Sequence, residues 1–246
     1  MTLELRNPHA ILAALRSRAQ DIEEIRTSAE RGLWAELAGE ARQAGVTVTG
    51  ADAERGRAAK GPGKTKPGRD SAGRALVKER ADTPIEEMFA QASDNSLYLA
   101  LDQIQDPQNV GAIFRSAAFF GVAGLIMPSD RAAPLSGVAY DVASGGLESV
   151  PFAREGNLRR VLEQARTARL WILGTSEHAE TSLHGVPRDR SWLVVLGNEE
   201  RGLRRLTEEQ CDVVCSIPRP ADIDSEAVGS LNVAVSAGIV LAALRR

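Results

Sequence analysis

The chain is poor in aromatic residues: three Trp, two Tyr and five Phe make up 4% of 246 residues. A core with so few rings must be filled mainly by Leu, Val, Ile and Ala. It has no excess of positive charge either, since 30 Lys and Arg stand against 33 Asp and Glu for a net charge of −3. That excludes a globally basic nucleic-acid binder, so any RNA contact must come from a local basic patch. Cysteine is nearly absent. Cys211 and Cys215 have no further Cys or nearby His to complete a metal set, and they read as free thiols, buried or half-buried beside a strand. No metal is expected. There is no long hydrophobic run: Arg6, Arg16 and Arg18 interrupt the start, which leaves no cleavable apolar leader. The apolar stretch near the end is too short to cross a bilayer and closes on Arg245 and Arg246. Cytoplasm is the expected compartment.

What is present reads as an α/β chain. Ile11, Leu12 and Leu15 share one face of a first helix that Pro8 opens. A second helix spans 29–44, ends at Gly45 and leads into a short strand at 46–49. From 54 to 80 the composition shifts. Gly61, Pro62, Gly63, Pro67, Gly68 and Gly73 rule out regular structure in the middle, and Arg57, Lys60, Lys64, Lys66 and Arg69 dominate the charge. Taken alone, this is a solvated loop. Residues 75–77 are expected as a strand and 84–92 as a linking helix. A buried strand at 97–101 then enters a polar loop, 102–109, that feeds a helix at 110–120. Strands follow at 124–127, near 149–152 and at 170–173, with helices at 136–146 and 158–168 between them; Gly174, Thr175 and Ser176 follow as a loop. This alternation gives a mainly parallel sheet with helices on both faces. No G-x-G-x-x-G follows its first strand, which excludes a Rossmann-type oxidoreductase.

The chain is organised around its last fifty residues. Two β-branched apolar runs, 193–196 and 213–217, have the length of buried strands and stop on Gly197-Asn198 and on Pro218. Residues 231–244 read as a mostly buried helix. Asn198, Glu199, Glu200, Arg201, Ser230 and Asn232 interrupt this apolar setting, and polar groups beside core strands need partners, ligands among them. Gly197 and Gly202, with no Cβ, either let a ligand approach the backbone or serve as ordinary turn glycines.

Three motifs carry a resemblance. Residues 109–115 satisfy N-x-G-x-x-x-R, 196–203 read LGNEERGL and 230–238 read SLNVAVSAG. In this order, each at a strand–loop or loop–helix junction, they resemble the motifs of the SpoU/TrmH branch of the SPOUT RNA methyltransferases across 97–244. More loosely, NPHAILAAL at 7–15 resembles the start of an L30e-like substrate-binding domain. The resemblance implies three parts: an L30e-like RNA-binding domain at 1–80 with a basic loop at 54–74, a linker at 81–95, and a SPOUT domain with a deep trefoil knot at 96–246. It implies a homodimer, S-adenosylmethionine as cofactor and methyl transfer to a ribose 2′-hydroxyl. Ribosomal RNA is the favoured substrate and transfer RNA the runner-up. In that setting the basic loop becomes an arm that follows a phosphate backbone.

The implied catalytic set is Asn109, Arg115, Glu199, Ser230 and Asn232. Cofactor contacts fall to Gly174, Thr175, Leu196, Gly197, Gly202, Ile217 and Leu231. Arg115 is either a clamp or a snorkelling surface residue. A guanidinium does not act as a free base at neutral pH, so the clamp would orient the 2′-hydroxyl and its phosphate. Asn109 contacts ribose, caps its helix, or does both. Glu199 holds Arg115 or Asn232, or caps a turn. Ser230 reads as an N-cap, and Asn232 as a substrate or cofactor contact. Two departures stand out. Ser71-Ala72-Gly73 replaces a His-Gln-Gly segment, and 219–229 is longer than the Ile-Pro-Met-x-Gly of relatives and acidic at Asp222, Asp224 and Glu226. The altered loop keeps a non-catalytic RNA-binding protein open as an alternative.

Overall fold

Two sheets carry the chain in the computed structural model, which describes residues 1–50, 73–130, 135–198, 201–219 and 230–245. The first has strands β1 (Thr2–Leu5), β2 (Ile22–Thr27), β3 (Val48–Thr49) and β4 (Gly73–Lys78), in the order β1-β4-β2-β3. Helix α1 (Pro8–Arg18) starts where Asn7 accepts a hydrogen bond from the His9 N–H. Helix α2 (Leu33–Gln43) ends before Gly45, whose φ is +75°. Strand β2 has no period-two pattern. Its buried Ile22 and Ile25 lie three residues apart, and a register shift between Ile22 and Glu24 reconciles that spacing with one face.

The second sheet has seven strands, and every pairing in it is parallel. They are β5 (Leu97–Leu101), β6 (Gly124–Pro128), β7 (Phe152–Glu155), β8 (Trp171–Thr175), β9 (Thr181–Ser182), β10 (Trp192–Leu196) and β11 (Val213–Ser216). Their order is β7-β6-β5-β10-β8-β11-β9. Side chains alternate across it: Leu97, Leu99 and Leu101 enter one hydrophobic cluster, Tyr98 and Ala100 the other. Helices α4 (Pro107–Phe119), α5 (Gly137–Ala143), α6 (Gly146–Ser149) and α9 (Val233–Leu244) fill the first cluster; α3 (Ile85–Ala90) and α7 (Leu158–Thr167) fill the second. A single turn, α8 (Arg205–Glu208), precedes β11.

Several expectations shift. The helix expected at 136–146 breaks at Ser144 and Gly145, both at positive φ, and α6 takes the place of the strand expected near 149–152, which starts at Phe152 instead. Helix α4 starts at Pro107 because Asp106 accepts from the Gln108 N–H, so Asp106 and not Asn109 is its cap. Helix α9 is less buried than expected: Val235 is 51% and Ile239 37% exposed.

The two sheets share a core and a polar seam. The Asp141 carboxylate accepts the N–H groups of Arg6 and Asn7 at 2.9 and 2.8 Å. Arg18 and Glu148 form a 2.7 Å ion pair with side chains only 8% and 3% exposed. Arg80 donates to the Leu147 and Val150 carbonyls, both at 2.7 Å.

Candidate active site

Open parallel sheets bind ligands beyond the carboxyl ends of their strands, where the strand order reverses. Here β5 runs out to β6 and β7 on one side while β10 and β8 lie on the other, so the reversal falls between β5 and β10. Leu196 pairs with Leu101 across that point, and its carbonyl accepts from the Asp102 N–H at 2.8 Å. Thr175 ends β8 and Ile217 directly follows β11, and the Thr175 hydroxyl donates to the Val195 carbonyl. Gly174 and Thr175 thus belong to β8 and not to the loop expected there. Gly174 packs against Cys211 and Leu203.

The loop after β10 is a closed ring. Asn198 and Gly202 exchange backbone hydrogen bonds at 3.0 and 2.9 Å. A Cβ on Gly197 would lie 2.3 Å from the Gly202 carbonyl carbon, so Gly197 is required by the chain's own backbone. Gly202, at φ +65°, is required by conformation. The Asn198 side chain closes the ring by accepting from the Arg201 N–H and reaches out to donate to the Gln103 carbonyl at 2.9 Å.

The first and third motifs meet directly. Asn232 caps α9: its Oδ1 accepts from the Ala234 and Val235 N–H groups at 2.9 and 3.3 Å. Its Nδ2 donates to Asn109 Oδ1 at 2.9 Å. The cap assigned to Ser230 therefore belongs to Asn232, which lies before the helix and not inside its first turn; Ser230 is exposed. Asn109 sits in the first turn of α4, and Arg115 six residues on is exposed, with no partner among the described residues. Gly111, in the same motif, serves helix packing, since a Cβ there would lie 2.5 Å from the Ala139 carbonyl oxygen. Leu231 is 48% exposed between Ser230 and Asn232. Glu199, the loop 220–229 and the basic positions Arg57, Lys60, Lys64, Lys66 and Arg69 lie outside the described residues.

A second feature flanks this arrangement. Asp102 follows β5, its side chain fully buried, with Arg204 Nε 2.7 Å from Oδ1 in an ion pair that lacks hydrogen-bond alignment. Oδ2 accepts from the Arg204 N–H. Beside them opens a cavity of about 250 Å³ over the ends of β5, β6 and β7.

The profile of the SpoU rRNA Methylase family matches residues 96–242. The chain belongs to this family. It is 42% identical over 166 residues to the 23S rRNA (guanosine-2'-O-)-methyltransferase RlmB of Nitrosomonas europaea, covering 68% of this chain and 62% of that one. It is 40% identical over 164 residues to the RlmB of Neisseria meningitidis, covering 66% and 63%. The match thus spans less than two thirds of these curated relatives' length. The SpoU methyltransferase AviRb from Streptomyces viridochromogenes, solved with the cofactor AdoMet, shares the fold at a TM-score of 0.78 and 21% identity, covering 100% of this chain and 90% of that one.

Of the motif residues found from sequence, Asn109, Asn198 and Asn232 are ends of contacts, and Arg115 has no partner among the described residues. Asn198, polar beside a core strand, finds a partner in the Gln103 carbonyl, whereas Asp102, Gln103 and Arg204 lie outside the residues to which the sequence points. The signal for Asp102 was present, since a charged residue directly after a fully apolar strand needs a partner. Its partner lies 102 positions away. Both cysteines are free thiols as expected, Cys215 buried and Cys211 partly so; burial pushes their pKa values up to about 11 and about 12. Neither is primed as a nucleophile.

Proposed function

We propose that this chain transfers a methyl group from S-adenosylmethionine to a ribose 2′-hydroxyl in ribosomal RNA. The observation that carries the reading is the Asn232–Asn109 hydrogen bond, which joins two family motifs at the carboxyl edge of the sheet. The names of the relatives, given for 23S ribosomal RNA and guanosine, support that substrate for this chain over transfer RNA.

The described residues suit the cofactor. Thr175, Leu196, Gly197, Ile217 and Leu231 offer backbone groups, a hydroxyl and exposed apolar surface, and none carries a positive charge to repel a sulfonium. When bound there, S-adenosylmethionine supplies the electrophilic methyl group. Asn109 and Asn232 hold the ribose edge, and Arg115 donates from its planar fork to the 2′-oxygen and the neighbouring phosphate. The hydroxyl proton passes to that phosphate or to water, because the guanidinium stays protonated.

The same reading assigns residues 1–80 to substrate binding through an L30e-like unit, with the basic positions of 54–74 along the phosphates. It places the enzyme in the cytoplasm; among the described residues no helix is long and apolar enough to cross a membrane. The C-terminal stretch is threaded as a trefoil knot. The chain acts as a homodimer, supported by the exposed Phe119 of α4 and Val235 and Ile239 of α9, two helices in mutual contact. Arg115 stands one turn before Phe119 on the same face, at the edge of that interface.

Calorimetric titration with S-adenosylmethionine, with Asn232→Ala as control, tests the cofactor site. Micromolar binding weakened in the control is expected, and Arg115→Lys should keep this binding while losing methyl transfer to ribosomal RNA. No binding by the wild type turns the reading to a non-catalytic RNA-binding protein. In sedimentation velocity, Val235→Glu with Ile239→Glu should convert a dimer to a monomer; an unchanged sedimentation coefficient removes the proposed interface.

A further inference from the structure

We infer that the cavity over the carboxyl ends of β5, β6 and β7 is a nucleobase pocket selective for guanine. This deepens the proposed RNA methylation and rests on that reading, because the base it holds is that of the nucleotide presented to Asn109 and Asn232.

The cavity has an apolar floor that includes Leu101 and Val161, and a polar rim of Gln103, Asp130, Glu155 and Arg204. At about 250 Å³ it admits a planar purine and not a folded peptide or a nucleotide chain. The rim carries both signs of hydrogen-bonding group. Arg204 spends its Nε on Asp102, and its two terminal nitrogens take no partner among the described residues. Asp102 is wholly buried and keeps an oxygen without a hydrogen bond, so it serves to hold that guanidinium in place against the cavity. A guanidinium fork matches the O6 and N7 acceptors of guanine.

The Glu155 and Asp130 carboxylates of the same lining are likewise without partners among the described residues. Carboxylates only accept, and guanine offers N1–H and N2–H₂ as adjacent donors on its Watson–Crick edge. Adenine offers Arg204 a single acceptor beside a donor, and pyrimidines lack N7 altogether. Two unpaired carboxylates also repel phosphate, so the occupant enters base first with its backbone outside. A base turned out of its stack into a pocket is how enzymes reach single nucleotides.

The cavity lining is joined to the motif residues through Gln103. Gln103 holds a left-handed φ of +64°, fixed where Asn198 Nδ2 donates to its carbonyl. Asn198 belongs to the ring that follows Leu196, and the segment from Gln103 runs directly into the α4 turn bearing Asn109. Gln103 of the cavity lining and Asn109 thus lie on one short segment, with the base assigned to the cavity and the ribose to Asn109.

The test titrates the full-length protein with guanosine, inosine and adenosine 5′-monophosphates, followed by saturation-transfer NMR. Guanosine monophosphate should bind at least about tenfold tighter than adenosine monophosphate, the low end for a bidentate base contact. Inosine monophosphate, lacking N2–H₂, should fall between them. Glu155→Gln with Asp130→Asn should abolish the preference, and Arg204→Lys, which keeps a charge for Asp102, should weaken guanosine monophosphate selectively. Equal binding of the nucleotides, an unchanged preference in the double variant, or no saturable binding at all overturns the pocket. S-Adenosylmethionine titration and methyl transfer by the same preparations report on the proposed activity separately, so an active enzyme without base selectivity sinks this inference alone.

Discussion

At the residue scale, Asn232 shows how one amide does two jobs. Its oxygen caps α9 and its nitrogen reaches Asn109 across 123 positions. An amide carries a donor and an acceptor on one carbon, whereas a serine hydroxyl, one atom shorter in reach, satisfies the cap alone. The two roles are therefore separable. Asn232→Ala should lower unfolding stability by about 1 kcal/mol through the lost cap. Asn232→Ser should melt close to wild type yet lose about tenfold in methyl transfer, the worth of a hydrogen bond made at the site. Full turnover by the serine variant would show that the link to Asn109 is dispensable. Arg115 was legible as an arginine on an otherwise apolar helix, but its freedom from any described partner emerges only when its neighbours are in place.

At the scale of elements, β10, β8 and β11 lie side by side, and their packing explains the two thiols. Cys215 lies buried on β11, and Cys211 donates to the Thr207 carbonyl while its sulfur abuts Gly174. Burial favours the neutral thiol, so the folded chain keeps protons that the unfolded chain releases above about pH 8.5. Stability should then fall as pH rises from there toward about 11 and about 12. Melting temperatures taken from pH 7 upward should show a shallower decline in the Cys211→Ala, Cys215→Ala double variant. Iodoacetamide at pH 8 should label the unfolded chain and spare the folded one; rapid labelling of the native protein would contradict the burial. Sequence placed these strands well because each is an apolar run ended by Gly, Pro or a polar residue. It missed β2, where a bulge breaks the period, and displaced β7, where α6 intrudes.

At the scale of the whole molecule, the first sheet is seated on the second through a polar seam with a buried ion pair at its centre. Arg18 and Glu148 are nearly solvent-free, so removing one charge strands the other. Glu148→Gln should cost about 3 kcal/mol or more, visible in chemical denaturation. A change of less than 1 kcal/mol would mean that water reaches the pair once it is broken. This seam, with the shared hydrophobic cluster, gives the first sheet a fixed attitude toward the carboxyl edge where the site lies.

Local pattern by itself determined the α/β class, the strands β5, β6, β8, β10 and β11, the amphipathic α7, and the three motifs with their family. Each of these is written in consecutive residues, as a period, a punctuating turn or a fixed spacing. Strand order, the meeting of Asn109 with Asn232, the buried Asp102 beneath Arg204, and the exposed face of α9 were decided only in three dimensions. Parallel strands joined by long crossovers can pair in many orders, and no local period records which one closes. Helix α9 is apolar on every side, so its sequence has no polar stripe to say which face meets the core. Only packing against α4 selects the side that remains open.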